Sequence, residues 1–143
     1  MKSVRRKARE DALQILYQLD LNNDLSVELA LNYFQSLYSK NQMALDPFTR
    51  RLVMGVGEKA NDIDHKIKEI SSNWRPDRMA AVDRNILRLG AFELLFCDDI
   101  PATVTLNEMV ELAKEFGAEN TPAFVNGVLD QLKSKFPVTG KTE

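Results

Sequence analysis

Residues 79–96 read MAAVDRNILRLGAFELLF, and this run restricts the fold more than any other stretch of the chain. At helical spacing Val82, Ile86 and Leu89 share one face, while Leu87, Ala91, Leu94 and Leu95 cover another. A surface helix carries a single apolar stripe, so a helix that is apolar nearly all round belongs inside a bundle. Eighteen residues approach the length of a membrane span, yet Asp83, Arg84, Asn85, Arg88 and Glu93 interrupt the run. That many polar side chains exclude a lipid-facing segment. The run is therefore expected to be the central helix of an all-α domain.

The flanking segments carry helix signals of their own. Ser3 can cap a helix from residue 4 to about 21, with Ala8, Ala12, Ile15, Leu16 and Leu19 inward and Leu13 and Tyr17 at the edge. Ser26 can cap a second, to about residue 38, that buries Leu29, Ala30, Tyr33, Phe34 and Leu37. Asp46-Pro47 is a strong start, because proline suits the first helical position. From there apolar residues keep helical period to about residue 71, favouring one long helix with Gly55 and Gly57 near its middle over one broken near Asn61. Trp74, in the NWRPDR link, is expected to plug a junction between packed halves.

After Cys97, the run DDIP stops the central helix, since the residue before proline resists helical geometry. Thr105 with Glu108 matches a capping box. Leu106, Met109, Val110, Leu112, Ala113 and Phe116 then form a buried stripe closed by Gly117. Thr121-Pro122 opens a last helix that buries Val125, Val128, Leu129 and Leu132 and ends before Pro137. No alternating apolar segment flanks Asn126-Gly127, so a hairpin there is set aside. The expectation is an all-α bundle of six to seven helices.

Little enzymatic chemistry can be assembled from this chain. One cysteine and one histidine cannot furnish a four-ligand zinc site, and a lone thiol suits a reducing compartment. The first residues lack the apolar core of a signal peptide, which points to the cytoplasm. There is no phosphate-cradling glycine loop, nucleophile elbow or paired-histidine motif. Glu93 inside its apolar run is read as a structural carboxylate partnered by an arginine such as Arg84 or Arg88. No catalytic residue, cofactor or metal is expected, nor any membrane association.

Charge is more informative. The net charge of −2 argues against general affinity for polyanions, yet Lys2, Arg5, Arg6, Lys7 and Arg9 fall in the first nine residues with no acid among them. The fourteen other cations face all twenty-one acids, so the rest of the chain carries −7. A basic arm on an acidic body implies a local anion site. Cations in a first helical turn oppose the helix dipole by a few tenths to about 1 kcal/mol each, which a bound phosphate would offset. A merely solvated basic terminus is the competing reading. Backbone cations and aromatic faces together hold single-stranded RNA. Tyr17 and Phe124 are the candidate faces, although an aromatic such as Phe124 is more often core.

Several blocks in order then resemble the bacterial NusB family. They are RRKAREDALQILYQLD at 5–20, NW at 73–74 and DRNILRLGAFEL at 83–94. IPATVTLNEMVELAKEFGAE at 100–119 and FVNGVLD at 124–130 complete the match, which spans nearly the whole chain. The resemblance implies a single domain over 1–137, with helical halves of about 1–73 and 74–137 packed around the central helix and a flexible tail at 138–143. It implies pairing with the ribosomal protein NusE, joint binding of boxA RNA on nascent ribosomal transcripts, and a place in an RNA polymerase antitermination complex with other Nus factors. The RNA-facing residues would be Lys2, Arg5, Arg6, Lys7, Arg9, Gly117, Ala118, Glu119, Asn120, Thr121 and Phe124. Tyr17, Met79 and Asp83 would face the protein partner. Monomer and homodimer both stay open, and Glu119 would sit awkwardly beside phosphates.

Two other functions compete. The same helical module fronts ribosomal RNA cytosine methyltransferases, but these carry a long catalytic domain with a methyl-donor site, so that reading is expected to fail unless the sequence is a fragment. A pure protein scaffold is the other, and it would lack salt-dependent RNA affinity.

Overall fold

The computed structural model describes residues 3–40, 44–72 and 74–138. They form six α-helices: α1 Val4–Leu21, α2 Val27–Lys40, α3 Pro47–Ile70, α4 Ala81–Phe96, α5 Ala102–Phe116 and α6 Thr121–Lys135. A short 3-10 turn, Pro76–Arg78, precedes α4, and no strand occurs among the described residues. The fold is all-α. Of the 138–143 tail, residues 139–143 lie outside the described residues, as do Lys2 and Asn73. Contacts divide the chain into two compact units, residues 1–58 and 59–143. The division falls within α3, whereas the sequence reading divides the halves after residue 73.

In the first unit, local chemistry starts each helix. Ser3 Oγ accepts from the Arg6 amide at 3.1 Å, Ser26 Oγ from Leu29 at 3.1 Å, and Asp46 Oδ1 from Phe48 at 2.7 Å. Each occupies an amide that would otherwise lack a partner in the first turn. Thr49 Oγ1 donates to the Ala8 carbonyl at 3.0 Å, joining the start of α3 to α1. Gly57 lets Val27 approach to 3.3 Å of where a Cβ would stand.

Helix α2 is rotated from its expected setting. Ala30, Leu31 and Phe34 are buried, while Leu29, Tyr33 and Leu37 are exposed. Two apolar stripes run along this helix, and neighbouring elements select the one containing Leu31. In α1, Leu13 is buried with the predicted stripe, and Leu19 is half-buried.

In the second unit α4, α5 and α6 pack on one another. Ile86, Leu87, Leu89 and Ala91 are fully buried, as an all-round apolar helix requires. Full burial of each leucine or isoleucine stabilises by about 1.5–3 kcal/mol. Arg88 grips both oxygens of Asp64 at 3.0 Å and lies over the Trp74 ring, tying the end of α3 to α4.

One sequence expectation changes here. Helix α5 starts at Ala102 behind Pro101, so Thr105 lies a turn inside and is no cap. Its hydroxyl donates instead to buried Glu93 at 2.8 Å. Arg84 donates to the Pro76 and Met79 carbonyls at the head of α4. A hydroxyl facing a buried carboxylate is worth more there than at a helix end, where water could replace it.

Candidate nucleic-acid interface

The basic arm forms the first turns of α1, and no acid stands in the opening turn. Arg5 and Lys7 are exposed and Arg6 is half-buried. The Arg5 guanidinium sits 3.9 Å from the centre of the Phe48 ring, a cation–π contact that fixes where its charge projects. Lys7 Nζ pairs with Asp11 Oδ1 at 2.9 Å, and Asp11 also accepts from the Tyr38 hydroxyl. Burial, that hydrogen bond and the Asp11 charge all push the Tyr38 phenol above its ordinary pKa.

Arg9 departs from the expected open arm. It is only 3% exposed, with its guanidinium 5.1 Å from the Phe48 ring. Position nine falls on the inward face of a helix whose residues 8–13 are all buried. Tyr17, about two turns further along, is exposed.

The second cluster lies in the other unit, where the α5–α6 corner turns through residues 117–121. Ala118, Glu119 and Asn120 are exposed, and Phe124 follows in the first turn of α6 with 42% of its surface open. That exposure removes the core reading of Phe124. Phe116 differs from its expected place on the buried stripe, since it too is exposed. It ends α5 just where the chain turns away, which leaves its ring partly open. Two exposed aromatics therefore flank the corner. A helix-ending aromatic before glycine was the available sequence signal for Phe116.

Thr121 organises the corner. Its hydroxyl accepts from the Ala118 amide at 2.9 Å and donates to Asp83 Oδ1, at the start of α4, at 3.1 Å. Gly117 is extended, with φ −95° and ψ −175°, so positive φ is not what requires glycine. A Cβ at Gly117 would instead stand 2.7 Å from Thr121 Cβ and Cγ2. Asn120 occupies the position before α6, yet its side chain makes no cap hydrogen bond.

The sequence matches the NusB family over residues 6–134. It is 43% identical to the transcription antitermination protein NusB of Anaeromyxobacter dehalogenans, over all of this chain and 99% of that one. The chain belongs to the NusB family. Among solved structures, NusB of T. maritima superposes with a TM-score of 0.84 at 34% identity, covering 99% of this chain and 98% of that one. A structure of antitermination factors NusB and NusE in complex with dsRNA gives 0.78 at 28% identity, over 95% and 100% of the two chains.

Within this NusB-family fold the residues singled out from the sequence fall into two groups. Arg5, Arg6, Lys7, Arg9 and Tyr17 belong to α1 in the first unit. Met79, Asp83, Gly117, Ala118, Glu119, Asn120, Thr121 and Phe124 belong to the second. In the second group the Asp83–Thr121 hydrogen bond joins a residue assigned to the partner surface with one assigned to RNA. Met79 is half-buried, and its carbonyl accepts from Arg84 Nη1 at 2.7 Å. A concavity of about 900 Å³ along the end of α3 and the 3-10 turn, lined by His65, Lys68, Trp74, Arg75 and Arg78 among others, involves none of these residues. No helix among the described residues is long and apolar enough to cross a membrane.

Proposed function

We propose that this chain is a non-enzymatic antitermination factor that pairs with the ribosomal protein NusE. Together they bind boxA-type single-stranded RNA on nascent ribosomal transcripts, as part of an RNA polymerase antitermination complex. The observation that carries the proposal is the match, over nearly the whole chain, to a structure of NusB and NusE with dsRNA. The geometry supplies the chemistry such a role needs. Arg5 and Lys7 present cations at a helix start whose dipole is already positive, a setting suited to phosphate. The exposed rings of Phe124 and Phe116 offer stacking faces, and the amide side chain of Asn120 can pair with a base edge. Glu119 is exposed beside them and can face water rather than phosphate.

The test is fluorescence anisotropy of a labelled boxA-type RNA titrated with this protein, with and without NusE, at two salt concentrations. Scrambled and double-stranded RNAs of equal length serve as comparators, the duplex because the related complex contains dsRNA. Expected is binding that prefers boxA, tightens with NusE, and weakens with salt at a log–log slope of about 0.7 per neutralised phosphate. Equal affinity for all RNAs, unmoved by NusE, would leave only a protein scaffold with a basic end.

A further inference from the structure

We infer that Thr121 and Asp83 are positioning residues that set the 117–121 corner and couple it to whatever binds the start of α4. The inference rests on the functional reading above, in which the corner faces RNA and the start of α4 faces NusE.

Three observations carry it. Thr121 is only 1% exposed, and its hydroxyl holds one bond in each direction, accepting from Ala118 and donating to Asp83. A hydroxyl has a single proton, and a carboxylate can only accept, so the direction of both bonds is fixed together. Gly117 leaves no slack on the other side, because its backbone lies against Thr121 more closely than any side chain would allow. Finally, Asp83 is half-buried, and its second oxygen takes no hydrogen bond from a described residue. Next to it, Arg84 clamps the preceding Pro76 and Met79 carbonyls at 2.8 and 2.7 Å, which ties the segment before α4 to its first turn.

A donor from a protein partner reaching the second Asp83 oxygen holds the carboxylate in the rotamer that receives Thr121. Thr121 then holds the Ala118 amide, and the exposed side chains of Glu119 and Asn120 keep the orientation they present to RNA. The partner thus tightens RNA binding by ordering a corner it need not touch. Linkage makes the effect reciprocal, so RNA tightens partner binding by the same factor.

The experiment compares wild type, Thr121→Val and Thr121→Ser by anisotropy of boxA-type RNA, each with and without saturating NusE. Valine keeps the shape and removes both bonds, whereas serine keeps the hydroxyl. The expected result is that the factor by which NusE tightens RNA falls roughly fivefold or more in Thr121→Val, within the usual range of such couplings, and returns in Thr121→Ser. A purely structural role would lower the melting temperature and leave that factor intact. If Thr121→Val does not fold, hydrogen exchange of the Ala118 amide in wild type decides, since NusE should slow it. Unchanged coupling in a folded Thr121→Val, or an Ala118 amide indifferent to NusE, overturns the inference. Wild-type protein that binds no RNA instead overturns the functional reading itself.

Discussion

Replacing Gly90 with alanine separates tertiary packing from helix propensity, because the two predict opposite signs. Gly90 lies inside α4, where alanine is preferred over glycine by about 0.8–1 kcal/mol. Propensity alone would make the variant more stable. The structure places the new Cβ 2.6 Å from Leu129 Cδ1, 2.9 Å from Met109 Cγ and 3.2 Å from Leu129 Cδ2. Carbon atoms prefer about 3.5–4.0 Å, so both neighbours must retreat by up to about 1 Å. Leu129 and Met109 are fully buried, so the packing around them must absorb their retreat. Overpacking of this kind costs about 1–3 kcal/mol. Gly90→Ala is therefore expected to lose about 1–2 kcal/mol net, and at about 2–4 °C per kcal/mol several degrees of melting temperature. Gly127 in α6 is the internal control, being exposed with nothing within 4 Å of an added Cβ. Gly127→Ala should gain up to about 1 kcal/mol. Urea unfolding followed by circular dichroism measures both. A Gly90→Ala protein as stable as wild type, or more so, would refute the close packing of α4, α5 and α6.

Other perturbations follow from the same geometry. Phe124→Ala should weaken boxA RNA binding by about 1–3 kcal/mol with little loss of stability. Unchanged affinity with a marked fall in melting temperature would return the ring to a packing role. The two arm arginines should part company, although the sequence alone treats them alike. Arg5→Ala should reduce RNA affinity and the salt slope by about 0.7. Arg9→Ala, at a buried position, should lower stability by about 1–3 kcal/mol. Equal melting temperatures for the two variants would contradict the burial of Arg9. Tyr38 gives a pH test. Its phenol stays protonated in the folded protein above its ordinary pKa of 10.0, while the unfolded chain loses that proton. Stability from this group is thus complete below about pH 10 and declines as pH rises beyond it. Melting curves taken above and below that pH should show a steeper alkaline loss in wild type than in Tyr38→Phe, and parallel losses would sink the assignment.

Much of this protein is written locally. Ser3, Ser26 and Asp46-Pro47 start their helices as read, because a cap is a bond between residues two or three apart and needs nothing beyond them. The central helix is legible because a segment apolar on nearly all sides has no stable place except a core. The aromatic beside the α5–α6 corner and the basic first turn of α1 were visible as residue types in order.

What tertiary structure decided is which of several locally acceptable choices each side chain takes. Helix α2 offers two apolar stripes, and only its neighbours select Leu31 over Leu29, Tyr33 and Leu37. Thr105 has the spacing of a cap, yet buried Glu93 claims its hydroxyl. Arg5 and Arg9 are equivalent as charges, but one projects into water and the other turns inward. Phe116 fits an apolar stripe that ends one turn too soon to cover it. Asp83 and Thr121 are thirty-eight residues apart, and no local pattern relates them. Helical periodicity fixes an angle around one axis, whereas burial and partnership depend on what packs against that axis from elsewhere in the chain.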